Sequence, residues 1–206
     1  MLDRYMLPLI KRPAHWLANK LAKRGVNANQ VTVVGFVVGM LAVPLLAWQW
    51  YELALIAILF NRVADGVDGE LARLFGATDA GAFLDITLDF IFYQAVIFGF
   101  ILASPDNQIA GALLMLSFVG TGISFLAFAI IAERQNISSV VYPNKGIHYL
   151  GGLAEGTETI AFFIAFCLWP QLFPQLAVLF AIICFMGAAL RIVYGYKQLS
   201  SLPVED

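Results

Sequence analysis

NRVADGVDGELARLFGATDAGAFLDITLDF, residues 61–90, places Asp65, Asp68, Glu70, Arg73, Asp85 and Asp89 within or next to sequence apolar enough to lie in a bilayer. Each acidic side chain held mid-bilayer costs about 2.5–3.5 kcal/mol on insertion scales, so four unneutralised aspartates cost on the order of 10 kcal/mol. Something must offset that penalty, and a water-filled cavity with bound cations is the simplest candidate. The composition shows why a bilayer is the natural solvent. Of 206 residues, 61% are apolar and 13% charged, against about 25% charged in soluble domains. A soluble fold of this size has no way to hide that much apolar surface.

Six apolar segments lie near 31–48, 52–76, 80–103, 108–132, 151–169 and 173–197. Each approaches or exceeds the roughly 20 helical residues needed to cross a hydrocarbon core of about 30 Å. The connections are short, so successive helices are expected to be antiparallel neighbours. Residues 4–24, RYMLPLIKRPAHWLANKLAKR, set Leu, Trp and Ile between Lys and Arg. They read as an amphipathic helix on the membrane surface, broken or started at Pro13. Asn27 or Asn29 can cap the first span. The expected fold is an all-α integral membrane protein with six transmembrane helices and an amino-terminal amphipathic interfacial helix. Its divisions are a juxtamembrane helix over 1–30, a six-span domain over 31–200 and a short tail over 201–206.

Basic residues set the orientation. Arg4, Lys11, Arg12, Lys20, Lys23 and Arg24 precede the first span, Arg73 flanks the second connection, Arg134 and Lys145 lie in the fourth, and Lys197 ends the last span. The connections near 49–52, 103–108 and 169–174 carry no Lys or Arg. The positive-inside rule then places both termini in the cytoplasm. Residues 1–30 lack a short apolar core followed by a small-residue cleavage site, so no cleavable leader is expected. Cys167 and Cys184 sit in apolar runs and read as buried or lipid-facing thiols, not as a disulfide framework. Trp16, Trp48, Trp50, Tyr51, Trp169, Tyr194 and Tyr196 fit the two interface levels.

Helical spacing gathers the aspartates. Asp65, Asp68, Gly69, Ala72 and Arg73 are spaced by three and four on one helix face, and Gly81, Asp85 and Asp89 line a face of the next helix. With the turn near Thr78, a rise of about 1.5 Å per residue puts all four carboxylates roughly 10–20 Å from it, in the cytoplasmic half of the membrane. Carboxylates without His or Cys suit a hard cation, Mg²⁺ or Mn²⁺, with Ca²⁺ also compatible. Four can hold two ions, and a metal pair clamps phosphate oxygens during in-line displacement. Gly69, Ala72 and Gly81 leave room for a nucleotide or diphosphate against the backbone, and Arg73 can pair with a phosphate.

The stretch from Asp65 to Asp89 reads D-x2-D-G-x2-A-R-x7-G-x3-D-x3-D, eight fixed positions in 25 residues. It resembles the signature of the CDP-alcohol phosphatidyltransferases, as do the six-span plan and the amphipathic amino-terminal helix. The spacer between Arg73 and Gly81 is seven residues where eight is the commoner length, and it falls at the expected turn. The resemblance implies Asp65, Asp68 and Asp85 as metal ligands, and Asp89 as both metal contact and general base on the acceptor hydroxyl. It implies Gly69, Ala72, Arg73 and Gly81 as contacts of the CDP group. NANQVT, residues 27–32, resembles the family's Pro-Asn-x-x-Thr start with Ala28 in place of proline, which places Asn29 and Thr32 at the border of the nucleotide site. The implied reaction is attack by an alcohol on the diphosphate of a CDP-linked lipid such as CDP-diacylglycerol, releasing CMP. A homodimer is also implied, and no nucleic-acid partner is expected.

The motif leaves the acceptor open. Arg134, Lys145, His148, Glu155, Glu158 and Arg191 are the polar groups of the later segments that can face the same cavity. Arg191 is costly within the last span unless paired, either with an acceptor phosphate or with Glu155 or Glu158. His148 reads as solvated or interfacial, and the connection 133–150 as a lid or acceptor-binding loop. Family members that use a phosphorylated inositol resemble this region but carry additional arginine there. The rival reading is a cation or substrate transporter, which calls for carboxylates spread along a path through the membrane instead of clustered on one side.

Overall fold

Asn27 opens the first apolar helix with a reciprocal cap. Its side chain accepts from the Gln30 amide at 2.9 Å, and the Gln30 side chain accepts from the Asn27 amide at 3.1 Å. The computed structural model of the chain describes residues 3–135 and 156–201, with side chains from Lys11 onward. Eight helices follow in order: α1 (Asp3–Ala22), α2 (Ala28–Met40), α3 (Ala42–Ala47), α4 (Tyr51–Phe75), α5 (Asp79–Ala103), α6 (Gln108–Arg134), α7 (Gly156–Leu168) and α8 (Phe173–Ser200). One-turn 3₁₀ segments at Pro105–Asn107 and Pro170–Leu172 lead into α6 and α8, and no strand occurs among the described residues.

Two helices differ from the sequence expectation. α1 runs without interruption through Pro13, so the helix neither breaks nor starts there. Proline removes one ladder bond, but Pro13 is exposed while Ala14 and Ala18 bury against Val67 and Leu71 of α4, and that packing holds the helix together. The first span is divided into α2 and α3 at Leu41. Pro44 has no N–H for the Met40 carbonyl, and the Leu41 amide instead makes a tight-turn bond to Val38 at 3.1 Å.

Four stretches are long and apolar enough to cross a membrane: Ala28–Ala47, Asp79–Ala103, Pro105–Arg134 and Pro170–Ser200. α4 matches them in length, with 25 residues, but carries the charged motif. α7 is an apolar helix with 13 described residues, and the expected start of that span near 151 lies outside the described residues. The outer faces are apolar, with Val37, Ile56, Val63, Leu116, Ile123, Ile130 and Ile192 all more than half exposed, as lipid-facing positions are.

The interior divides along the helix axes. On α4, Ala54, Ala57 and Ile58 join Phe92, Val96, Ile97 and Phe100 of α5 in a core with Phe163 and Phe166 of α7 and Phe173 and Phe180 of α8. Phe100 stacks on Phe173 with ring centroids 4.6 Å apart. The four aspartates lie between this aromatic core and the α4–α5 connection.

Successive helices are not all neighbours, which corrects the expectation from short connections. α4 and α5 make hardly any close backbone approach; α2 packs on both, and α3 extends that contact, while α6 packs chiefly on α8. Small residues decide this, because they let backbones approach where lipid supplies no hydrophobic drive. A Cβ at Gly35 of α2 would lie 2.5 Å from Ala64 Cβ of α4, and one at Gly39 would lie 2.7 Å from Asn61 Cβ and 2.9 Å from the Phe92 ring. Gly35→Val should therefore push α2 off α4 one residue from Asp65. The expected cost is about 1–3 kcal/mol of overpacking, or roughly 2–4 °C of thermal midpoint per kcal/mol, read by thermal unfolding in detergent. Gly120→Ala is the contrast: its Cβ would meet Ala188 at an ordinary 4.0 Å, and an equal loss there would show that the Gly35 contact is not what matters.

Candidate active site

The cleft between α4 and α5 exists because α2 wedges against both. Gly76, at φ +94°, ends α4 in a conformation that only glycine adopts without strain. Thr78 then caps α5, its Oγ1 accepting from the Gly81 amide at 3.1 Å. The hairpin register follows, and Asp65 and Asp68 of α4 face Asp85 of α5. One carboxylate oxygen from each of these three lies within 4.8 Å of the others. Asp68 is 4% exposed, and its Oδ2 is fully buried with no hydrogen-bond partner. A buried carboxylate oxygen without a donor is costly, and an all-oxygen anionic set around it fits a hard divalent cation.

The fourth aspartate is placed differently. Asp89 is gripped by Arg62: Nη2 donates to Oδ1 at 2.5 Å and Nη1 to Oδ2 at 3.2 Å. Arg62 Nη1 also donates to the Tyr93 hydroxyl at 2.7 Å, and Nε and Nη2 donate to Asn61 Oδ1. The guanidinium lies 5.0 Å from the Phe92 ring centre and 4.9 Å from that of Tyr93. Asn61 is held in turn, its amide donating to the Gly35 carbonyl at 3.1 Å. Sequence reasoning weighed the acids, the small residues and Arg73 of this stretch and passed over Arg62 and Asn61. The available signal was a basic residue in mid-span, which is expensive without a partner.

A cavity of about 470 Å³ opens beside the cluster, between α2, α4 and the α4–α5 connection. Asn29, Thr32, Gly69, Ala72, Arg73 and Gly81, the six positions expected to meet the nucleotide, all line it, together with Asp68 and Asp85. A Cβ at Gly81 would stand 3.0 Å from Asn29 Oδ1 and 3.1 Å from Thr78 Oγ1, so glycine keeps that wall flat. Thr32 directs its hydroxyl to the Ala28 carbonyl at 3.1 Å. Arg73 Nη2 donates to Glu70 Oε1 at 2.6 Å, and Glu70 Oε2 lies 3.0 Å from His15 Nδ1, which ties α1 to this wall. A smaller space of about 10 Å³, bounded by all four aspartates and by Thr32, Gly35 and Asn61, lies deeper.

Among the described residues, none of the acceptor candidates lines these walls. Arg191 is 5% exposed and donates to the Thr121 carbonyl at 2.9 Å and Ser124 Oγ at 3.2 Å, across the α6–α8 interface. Arg134 is exposed at the end of α6, and Glu158 lies in the first turn of α7. Lys145, His148 and Glu155 lie outside the described residues.

Comparison with known proteins gives a family match and a shared fold. A family model described as CDP-alcohol phosphatidyltransferase matches residues 26–193. The inner membrane protein YnjF of Escherichia coli is 50% identical over 203 residues, covering 98% of each chain. The archaetidylinositol phosphate synthase of Pyrococcus horikoshii is 34% identical over 93 residues, covering 45% of this chain and 50% of its own. Among solved structures, the phosphatidylinositol phosphate synthase PgsA1 of Mycobacterium tuberculosis with CDP-DAG bound shares the fold. Its TM-score is 0.57 at 20% identity, over 92% of this chain and 93% of that one.

Proposed function

The chain belongs to the CDP-alcohol phosphatidyltransferase family, and from that premise we propose that it transfers a phosphatidyl group from CDP-diacylglycerol or a related CDP-lipid to a small alcohol, releasing CMP. It is a phosphotransferase of phospholipid synthesis and a multi-pass membrane protein. The observation that carries the finer reading is that one cavity is lined by all six nucleotide-side positions and by Asp68 and Asp85, two members of the three-aspartate cluster.

In this reading Asp65, Asp68 and Asp85 hold Mg²⁺ or Mn²⁺, with Ca²⁺ also compatible. When bound, the cation neutralises charge on the diphosphate oxygens. Gly69, Ala72 and Gly81 admit the cytidine diphosphate against the helix backbones, Asn29 and Thr32 border it, and Arg73 pairs with phosphate. The lipid tails stay in the bilayer. The acceptor enters from the cytoplasm, and Asp89 takes its hydroxyl proton as the oxygen attacks the lipid-bearing phosphorus and the bond to CMP breaks. Arg134, Lys145, Glu155, Glu158 and Arg191 remain the candidates for reading the acceptor.

Architecture completes the proposal. α4 and the segment ending in α7 bring the spans to six, and α1 lies on the cytoplasmic surface within a juxtamembrane segment, 1–30. Residues 31–200 form the catalytic domain and 201–206 the tail, with both termini cytoplasmic and two chains forming a dimer. To test the reaction, the purified chain is incubated with CDP-diacylglycerol, Mn²⁺ or Mg²⁺ and a panel of serine, glycerol phosphate, inositol phosphate and simple alcohols. CMP should appear with at least one acceptor and stop on addition of EDTA. Absence of CMP with every acceptor, in protein that carries cations across liposomes, would favour a transporter instead.

A further inference from the structure

We propose that Arg62 is a positioning residue that reserves Asp89 for the acceptor's proton by keeping both its oxygens out of the cation's ligand set, so that the chain holds one divalent cation and not two. The inference rests on the reading of Asp65, Asp68 and Asp85 as ligands and goes beyond it, because it concerns the fourth carboxylate and the number of ions.

Three observations carry it. First, Arg62 is saturated. Guanidinium has five N–H donors, and here all five are used: Nε on Asn61, Nη1 on Asp89 and Tyr93, and Nη2 on Asp89 and Asn61. No donor is left for a substrate phosphate, so this arginine acts on Asp89 and not on the nucleotide. Second, Arg62 stands where a shared cation would stand. Its Nη1 lies 3.2 Å from Asp89 Oδ2 and 3.7 Å from Asp65 Oδ2, bridging the two carboxylates. A second dication there would meet a fixed positive charge in a poorly screened site. Third, the space bounded by all four aspartates is about 10 Å³, which is room for about one water-sized particle, and the larger cavity beside it is lined by Asp68 and Asp85 but by neither Asp65 nor Asp89.

The grip is rigid. Two parallel N–H···O bonds fix the plane of a carboxylate as one bond does not. The guanidinium side chain is 6% exposed and packs on Phe92 and Tyr93, with Asn61 locked to Gly35 behind it. A carboxylate offers about four lone-pair directions, so two remain on Asp89 for a hydroxyl.

The test counts Mn²⁺ on the full-length chain in detergent, by equilibrium dialysis with electron paramagnetic resonance and no nucleotide present. The wild type should bind one Mn²⁺. Arg62→Gln should bind two, because Asp89 is released to the cluster. Arg62→Lys, which keeps the charge, should stay at one. Arg62→Gln combined with Asp89→Asn removes both members of the ion pair and should also bind one, with wild-type affinity. Two ions on the wild type or on Arg62→Lys, a single ion on folded Arg62→Gln, or loss of Mn²⁺ from the double variant would each overturn the proposal. If Arg62→Gln does not fold, the wild type, Arg62→Lys and the double variant still decide. Failure of the proposed reaction is read separately, by CMP release, and leaves these ion counts standing.

Discussion

Asp89→Asn should lower CMP release by about 10²–10⁴-fold, the usual contribution of a positioned general base, while the affinity for the CDP-lipid stays unchanged. Asparagine keeps the shape of the side chain but has no basic oxygen for the acceptor proton. The substitution has a second effect that must be separated from the first. It leaves the Arg62 guanidinium without its counter-ion in a site where the Arg62 side chain is only 6% exposed. The expected destabilisation is about 3 kcal/mol, the low end for a buried pair that loses one partner, because Asp89 keeps 29% of its side chain exposed. Adding Arg62→Gln removes the orphaned charge, so the double variant should regain thermal midpoint and not rate. Recovery of rate with midpoint would show that Asp89 serves structure and not proton transfer.

Much of the site could be read along the chain because helix geometry is one-dimensional. Counting from Thr78 placed Asp65, Asp68, Asp85 and Asp89 at matching depth, and Thr78 is the observed cap of α5. Asn27 was one of two candidate caps and is the one used. The six positions expected to meet the nucleotide line one cavity, and Gly69, Ala72 and Arg73 do so together because they repeat at helical spacing. What counting along helices does not give is the lateral arrangement. Whether α5 lies on α4 or stands off from it depends on Gly35 and Gly39, whose missing side chains admit α2 against Ala64, Asn61 and Phe92. The sequence marks these residues only as small. Arg62 was passed over for a related reason. Its meaning depends on Asp89, 27 residues away across a gap that the register alone does not reveal. Arg191 shows the limit for the acceptor. The sequence offered a phosphate or a glutamate as its partner, and the fold also supplies the Thr121 carbonyl and Ser124 of α6.

Asp68→Asn should make the metal-free protein more stable and abolish its stabilisation by metal. Asp68 is buried beside two other carboxylates, with Oδ2 lacking any donor. Like charges at this range repel, and a buried unsatisfied acceptor costs about 1–3 kcal/mol, more when ionised. Asparagine removes the charge and presents two N–H donors to a site where Asp65 and Asp85 offer oxygens within 4.8 Å of the ligand atom of Asp68. The apo midpoint should therefore rise, by roughly 2–4 °C for each kcal/mol relieved in a chain of this size. Binding runs the other way. A cation at a hundred times its dissociation constant adds about 2.7 kcal/mol to the wild type, seen as a Mn²⁺-dependent rise in midpoint. That increment should vanish in Asp68→Asn, because the amide offers one neutral oxygen in place of a charged pair. Thermal unfolding with and without Mn²⁺ reads both effects on one sample. An apo midpoint that does not rise would mean the buried oxygen carries no strain, and a Mn²⁺ increment equal to wild type would remove Asp68 from the ligand set. The opposite signs matter because a merely structural aspartate cannot produce them. Only a carboxylate kept for a cation makes the empty protein weaker and the filled one stronger.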